Sequence, residues 1–307
     1  LVGIVVLAAG ILIAGGGWEN IMGTIRTNHP QMLEPLSGGT MPVSLYFTQW
    51  LLVGIFTFAL PQSVVRCMGY KDTKSLRGAM IGGTLIIGAM MIGVTTLGVL
   101  SAGVLTGDLA SYGGSVDNII PRTIVETLPP WLAGVAIVGP VAASISTVSS
   151  LLIASSSAII KDLWLHYAED KGQQVSDAVV ARSSQIITLG VGVIVFVLAV
   201  VPPSVIWKIN MFAFGGLETA FCWVLVGALF FKRANKVGAI ASMVGGTAVY
   251  CLCMALGFKL FGLHQIVIGI TVSLLCMVIG SWVGNCRAND ADAAADAEMR
   301  EVFFPEA

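Results

Sequence analysis

The sequence predicts an all-α, multi-span membrane protein with about eight transmembrane helices. Three observations carry that reading. Of 307 residues, 56% are hydrophobic and only 11% are charged, with a mean hydropathy of +0.89. Soluble domains hold about a quarter charged residues, so this chain has too little charge to cover a water-facing surface. Apolar runs of roughly 20 residues, each long enough to cross a bilayer, recur from end to end. The basic residues gather in alternate connectors, as a chain threading back and forth across a bilayer requires. The lipid bilayer is therefore the first partner, and the net charge of -1 excludes the basic field of a nucleic-acid binder.

The runs lie near residues 1–18, 44–65, 78–106, 131–160, 183–201, 209–231, 237–257 and 265–284. The first, "LVGIVVLAAGILIAGGGW", has no basic region before it and no cleavage-type ending. It reads as a spanning helix entered partway rather than a signal peptide, and the chain as the C-terminal portion of a longer protein. The second is interrupted by Gly54 and Pro61, and a proline inside a helix removes a backbone donor and frees an upstream carbonyl. The fourth contains "VAASISTVSSLLIASSS", dense in hydroxyls and free of charge. The sixth carries Glu218 near its middle, just after Gly215 and Gly216, a pair expected to weaken or bend the helix there.

Connectors near 66–77, 161–182 and 232–236, with the C-terminal tail, hold Arg66, Lys71, Lys74, Arg77, Lys161, Lys171, Arg182, Lys232, Arg233, Lys236, Arg287 and Arg300. The alternate loops hold only Arg26, Arg122, Lys208 and Lys259. Positive-inside bias places the first set and the C-terminus in the cytoplasm. Residues 287–307 form an acidic, Ala-rich cytoplasmic tail.

In the fourth run Ala143, Ser146, Thr147 and Ser150 share one helical face. Two bland explanations stand beside a functional one. Small residues let helices approach closely in lipid, and Ser or Thr can bond back to the carbonyl one turn earlier. The functional one is an alkali-cation site, in which neutral oxygens hold the ion without trapping it. Glu218 is either a cavity-facing functional group or a structural carboxylate. Cys67, Cys222, Cys251, Cys253, Cys276 and Cys286 show no metal-ligand spacing and read as small apolar residues. The chain has no GxxxxGK[ST] nucleotide loop and no GxSxG elbow, and His29, His166 and His264 lie outside the span centres. Neither ATP-driven transport by this chain nor hydrolysis is indicated, and no organic cofactor is implied.

"VAASISTVSSLLIASSSAIIKDLW" resembles the sodium-site helix of the sodium:solute symporter family, and the rest of the membrane region supports the likeness. The supporting stretches are "VVRCMGYKDTKSLRGAMIGGT", "LPPWLAGVAIVGPVAASIST", "NMFAFGGLETAFCW", "KRANKVGA" and "GLHQIV". The likeness is nearest to the pantothenate branch. It implies part of a five-plus-five inverted-repeat, leucine-transporter-like fold. Residues 1–18 would then be the last helix of the first repeat, about 44–231 the second repeat, and about 237–284 extra helices. It implies sodium as the coupling ion, held by Ala143, Ser146 and Thr147, and pantothenate or a similar small organic anion as cargo. By position it places Phe56 and Thr57 towards substrate, and Glu218 joins them from its depth in the membrane. Proline or a small carboxylate is the rival cargo, and a non-transporting remnant the rival role. The family's broken opening helix, which supplies the other sodium ligands, has no counterpart in these residues; N-terminal helices of the same protein are the expected partner. The implied location is the plasma (inner) membrane.

Overall fold

A computed structural model describes residues 2–105, 107, 111, 113–173, 175–202 and 204–287. The acidic tail from residue 288 onward lies outside them. Among the described residues the regular structure is entirely helical.

Helix α1 (Val2–Ala14) ends at Gly16 and Gly17, whose φ angles of 71° and 100° lie where side-chain-bearing residues are strained. The chain then turns by 77° into α2 (Trp18–Asn28), and Asn20 donates to the Gly15 carbonyl across the corner at 2.8 Å. After a short α3 (Leu36–Gly39), the second apolar run begins as α4 (Val43–Trp50). It loosens to a π turn at Leu51–Ile55, tightens to a 3₁₀ turn at Phe56–Ala59, and resumes as α5 (Pro61–Met68). Pro61 opens α5, where its missing N–H costs nothing.

Helices α6 (Thr73–Ser101), α7 (Ile119–Thr127) and α8 (Pro130–Ser157) follow. A π segment, Ala158–Leu165, joins α8 to α9 (His166–Asp170), so one helical rod runs from Pro130 to Asp170. Then come α10 (Asp177–Val200), α11 (Ile206–Phe230), α12 (Lys236–Ala255) and α13 (Gln265–Arg287). Six of these rods are long and apolar enough to cross a membrane, and α1 with α2 makes a seventh if the bent pair is one span. The remaining run, 43–59, is short because of its own break.

The chain divides into two compact units, Leu1–Pro30 with Gly82–Val205 and Gln31–Ile81 with Ile206 onward. In the first, Leu7 and Ile11 of α1, Ile21 and Ile25 of α2, Leu97 and Leu100 of α6, Ile124, Leu128, Ala133 and Ala136 form the core. Gly10 lets Leu128 approach to a distance that any β-carbon would block. In the second, Leu52 and Ala59 of the broken run meet Met211 and Cys222 of α11, Tyr250 of α12, and Ile266 and Ile270 of α13. Large apolar side chains such as Leu189, Phe196 and Leu198 of α10 face outward, as lipid contact requires.

Helix α11 is continuous through Gly215 and Gly216, which corrects the expectation of a bend. Gly215 is there for proximity: a β-carbon on it would stand 2.3 Å from the Tyr250 hydroxyl oxygen. Of the six cysteines, all free, Cys222 and Cys253 are buried, while Cys67 and Cys286 are exposed.

Candidate ion and substrate site

Pro130 starts α8, and Pro140 interrupts its bonding ladder without ending it. A proline has no N–H for the carbonyl four residues earlier, so the Ala136 carbonyl loses its partner within the helix. Around Ala133 and Ala136 the helix is buried in the first core. From Val141 to Leu151 every residue is exposed.

On that exposed stretch the hydroxyls bond to their own helix. Ser144 donates to the Pro140 carbonyl at 2.9 Å and Ser150 to that of Ser146 at 2.9 Å. Ser146 and Thr147 both donate to the Ala143 carbonyl, at 2.9 and 3.0 Å. The three oxygens named from the sequence thus converge on one point. Donation leaves the lone pairs of both hydroxyls free for a cation, but it crowds the Ala143 oxygen. A cation sharing that oxygen would turn at least one hydroxyl aside. This is the bonding back to the preceding turn that the spacing of these hydroxyls allowed.

Phe56, Thr57 and Glu218 fall together in the second unit, where the 56–59 turn packs on α11. Thr57 Oγ1 donates to the carbonyls of Leu52 and Val53, so the hydroxyl takes up acceptors exposed by the change of helical type. Phe56 packs against the second core. Glu218 is fully buried, and neither carboxyl oxygen has a hydrogen-bond partner.

Two polar devices lay beyond the reach of residue spacing. Tyr250 of α12 donates to the Met211 carbonyl of α11 at 3.0 Å, and Ser273 of α13 to the Thr219 carbonyl at 2.8 Å. Glycines at 215, 246 and 269 were the available signal, since each marks a close approach. His264, just before α13, accepts from the Ile266 amide through Nδ1 at 3.2 Å and so caps that helix. Its own amide donates to Thr48 Oγ1 of α4 at 2.9 Å. Burial, with a smaller contribution from Lys259, pushes the imidazole down to about 4, so it is neutral at neutral pH. At the start of α6, Asp72 accepts from the Ser75 amide at 2.6 Å, and that bond holds its carboxyl below the usual range.

A helical membrane protein with a broken apolar run and a cluster of neutral oxygens on a long helix has the parts of a membrane transporter. The chain belongs to the sodium:solute symporter family, whose model matches residues 1–246. It is 34% identical over 286 residues to the sodium/pantothenate symporter of Haemophilus influenzae, covering 93% of this chain and 58% of that protein. It is 36% identical over 286 residues to the sodium/pantothenate symporter of Escherichia coli, covering 92% and 58%. The osmoregulated proline transporter OpuE of Bacillus subtilis is 26% identical over 289 residues, covering 92% and 57%. The chain thus spans a little under three fifths of the length of these curated relatives. No solved structure matches. The family and these relatives are transporters, and the family couples to sodium.

Proposed function

We propose that this protein carries pantothenate into the cell together with sodium, by alternating access across the plasma membrane, with its C-terminus in the cytoplasm. It is a carrier and not an enzyme. Ala143, Ser146 and Thr147 supply the sodium ligands from α8, and the N-terminal repeat of the family architecture supplies the rest. Phe56, Thr57 and Glu218 face the substrate once the broken run and α11 move. The observation that carries the ion site is the convergence of Ser146 and Thr147 on one carbonyl, within 3.0 Å of it. The cargo rests on the two pantothenate relatives at 34% and 36% identity, against 26% for the proline transporter.

Sodium and substrate are coupled because each favours the conformation that binds the other. A membrane potential contributes about 2.3 kcal/mol per net positive charge moved inward per 100 mV. Since pantothenate is a monovalent anion, more than one sodium per cycle makes uptake electrogenic.

The test is uptake of labelled pantothenate by the full-length protein in proteoliposomes, with and without an inward sodium gradient, beside labelled proline. Sodium-driven accumulation of pantothenate alone supports the reading. Accumulation of proline instead moves the cargo to the other relatives, and sodium-independent equilibration without accumulation refutes symport.

A further inference from the structure

Glu218 stands midway along α11, twelve residues from either end of that helix. At 1.5 Å per residue, that is about 18 Å of helix in each direction. Its side chain is fully enclosed, and both carboxyl oxygens lack a partner. The groups that could serve it are engaged elsewhere. Thr219 donates to the Gly215 carbonyl at 2.6 Å, Tyr250 to Met211, and Ser273 to Thr219. With the Ser273 proton so directed, the 2.8 Å contact between Ser242 and Ser273 takes the Ser242 proton as well. The Trp223 indole donates to the Ile270 carbonyl at 2.9 Å. Thr247 and Ser281 keep unpartnered hydroxyls, and neither reaches Glu218.

Charge offers no more help than hydrogen bonding. The elements packed on α11 are α12, α13 and the 51–59 break. The break holds no titratable residue. Helix α12 contributes Tyr250, Cys251 and Cys253, with Lys236 at its end; α13 contributes Cys276, with Cys286 and Arg287 at its end. On α11 itself the others are Cys222, one turn on, and Lys208, at the far end. A naked carboxylate in such surroundings is untenable, because a buried charge needs an opposite charge or several donors. A metal cation would need a shell of oxygens and the room to hold one, yet the helix contacts beside Glu218 are close: a β-carbon on Gly269 would stand 3.0 Å from Thr219 Oγ1, and one on Gly246 2.5 Å from Ser273 Cβ. A proton needs no such room.

We propose that Glu218 is a proton-binding site of this transporter, filled in the conformation described here and separate from the sodium ligands on α8. The bound proton converts the carboxylate to a neutral acid, which the α11–α12–α13 core can enclose. Stripping that proton leaves a bare charge in the core, so transport depends on the occupancy of Glu218 whatever the cargo is.

Infrared spectra of the full-length protein in membranes, titrated with alkali, test this directly. The wild type should show a protonated carboxylic C=O band at about pH 7 that Glu218→Gln lacks. Sodium-driven uptake by the wild type should fall several-fold as added alkali removes that band, and Glu218→Gln is read by its spectrum alone. If the variant does not accumulate, glutamate-specific carboxyl labelling of the wild type reads the same band. Absence of a labelled acid band at about pH 7, or a spectrum that Glu218→Gln leaves unchanged, overturns the proposal. So does an ionised carboxylate whose bands shift on adding sodium, since the ligand would then be a metal cation.

Discussion

Thr147→Ala isolates the ion site from the fold. In the structure the Thr147 side chain is exposed, and its one hydrogen bond goes to the Ala143 carbonyl of its own helix, at 3.0 Å. Removing that hydroxyl leaves no buried group unpaired, and alanine is the better helix former by about 0.5 kcal/mol. The variant should therefore fold and insert as the wild type does. The loss falls on the cation. An interaction between a hydroxyl and a charged group is worth about 1.5–3 kcal/mol, and each 1.4 kcal/mol is about a factor of ten in affinity. Half-saturating sodium should rise by roughly ten- to a hundredfold, with uptake at saturating sodium much less affected. The assay is the sodium dependence of substrate uptake in proteoliposomes, with Thr147→Ser as the control that keeps the ligand. An unchanged sodium dependence in both Thr147→Ala and Ser146→Ala would refute the assignment and leave the α8 hydroxyls as helix-packing groups.

Gly215→Ala forces a β-carbon to within 2.3 Å of the Tyr250 hydroxyl oxygen. Overpacking of this kind costs about 1–3 kcal/mol, so thermal unfolding in detergent should shift down, and pairing with Tyr250→Leu should recover part of the shift. Asn235 accepts from the Gly238 amide at 2.9 Å, capping α12, and donates to the Ser281 carbonyl at 2.8 Å; Asn235→Ala should cost about 1–2 kcal/mol, read as a lower midpoint in the same melts. His264 is held neutral, with its folded value near 4 and its ordinary value at 6.5. Its contribution is present above pH 6.5 and is lost as pH falls through about 4, because the unfolded chain takes the proton first. Acid melts should therefore show a destabilisation over that window that His264→Asn, which keeps a capping oxygen, flattens; an identical acid profile in the variant would remove His264 as the cause.

Much of this protein was legible before any coordinates, because membrane residence imposes a local rule. A segment in lipid must satisfy its own backbone and present apolar side chains, and α10 and α13 do so within runs that stand out in the sequence. Proline is equally local: Pro61 marks where the second apolar run breaks. Helical periodicity alone sets Ala143, Ser146 and Thr147 together, since positions three and four apart share a face whatever surrounds them.

Contacts between helices obey no such rule. Glycine at 215 could have meant a bend or a close approach, and only the position of Tyr250, 35 residues later, decides for the approach. A glutamate in mid-span announces a demand for a partner, but only the assembled α11–α13 core shows that no donor reaches its carboxyl oxygens and that Thr219, Tyr250 and Ser273 are turned to backbone carbonyls. The tie between His264 and Thr48 joins residues 216 apart in the chain. Sequence therefore determined which segments are apolar enough to cross a membrane, where one of them breaks, and which oxygens share a helical face. The tertiary structure alone decided which polar groups are left without a partner, because hydrogen-bond satisfaction depends on what the other helices bring and not on the helix that carries the group.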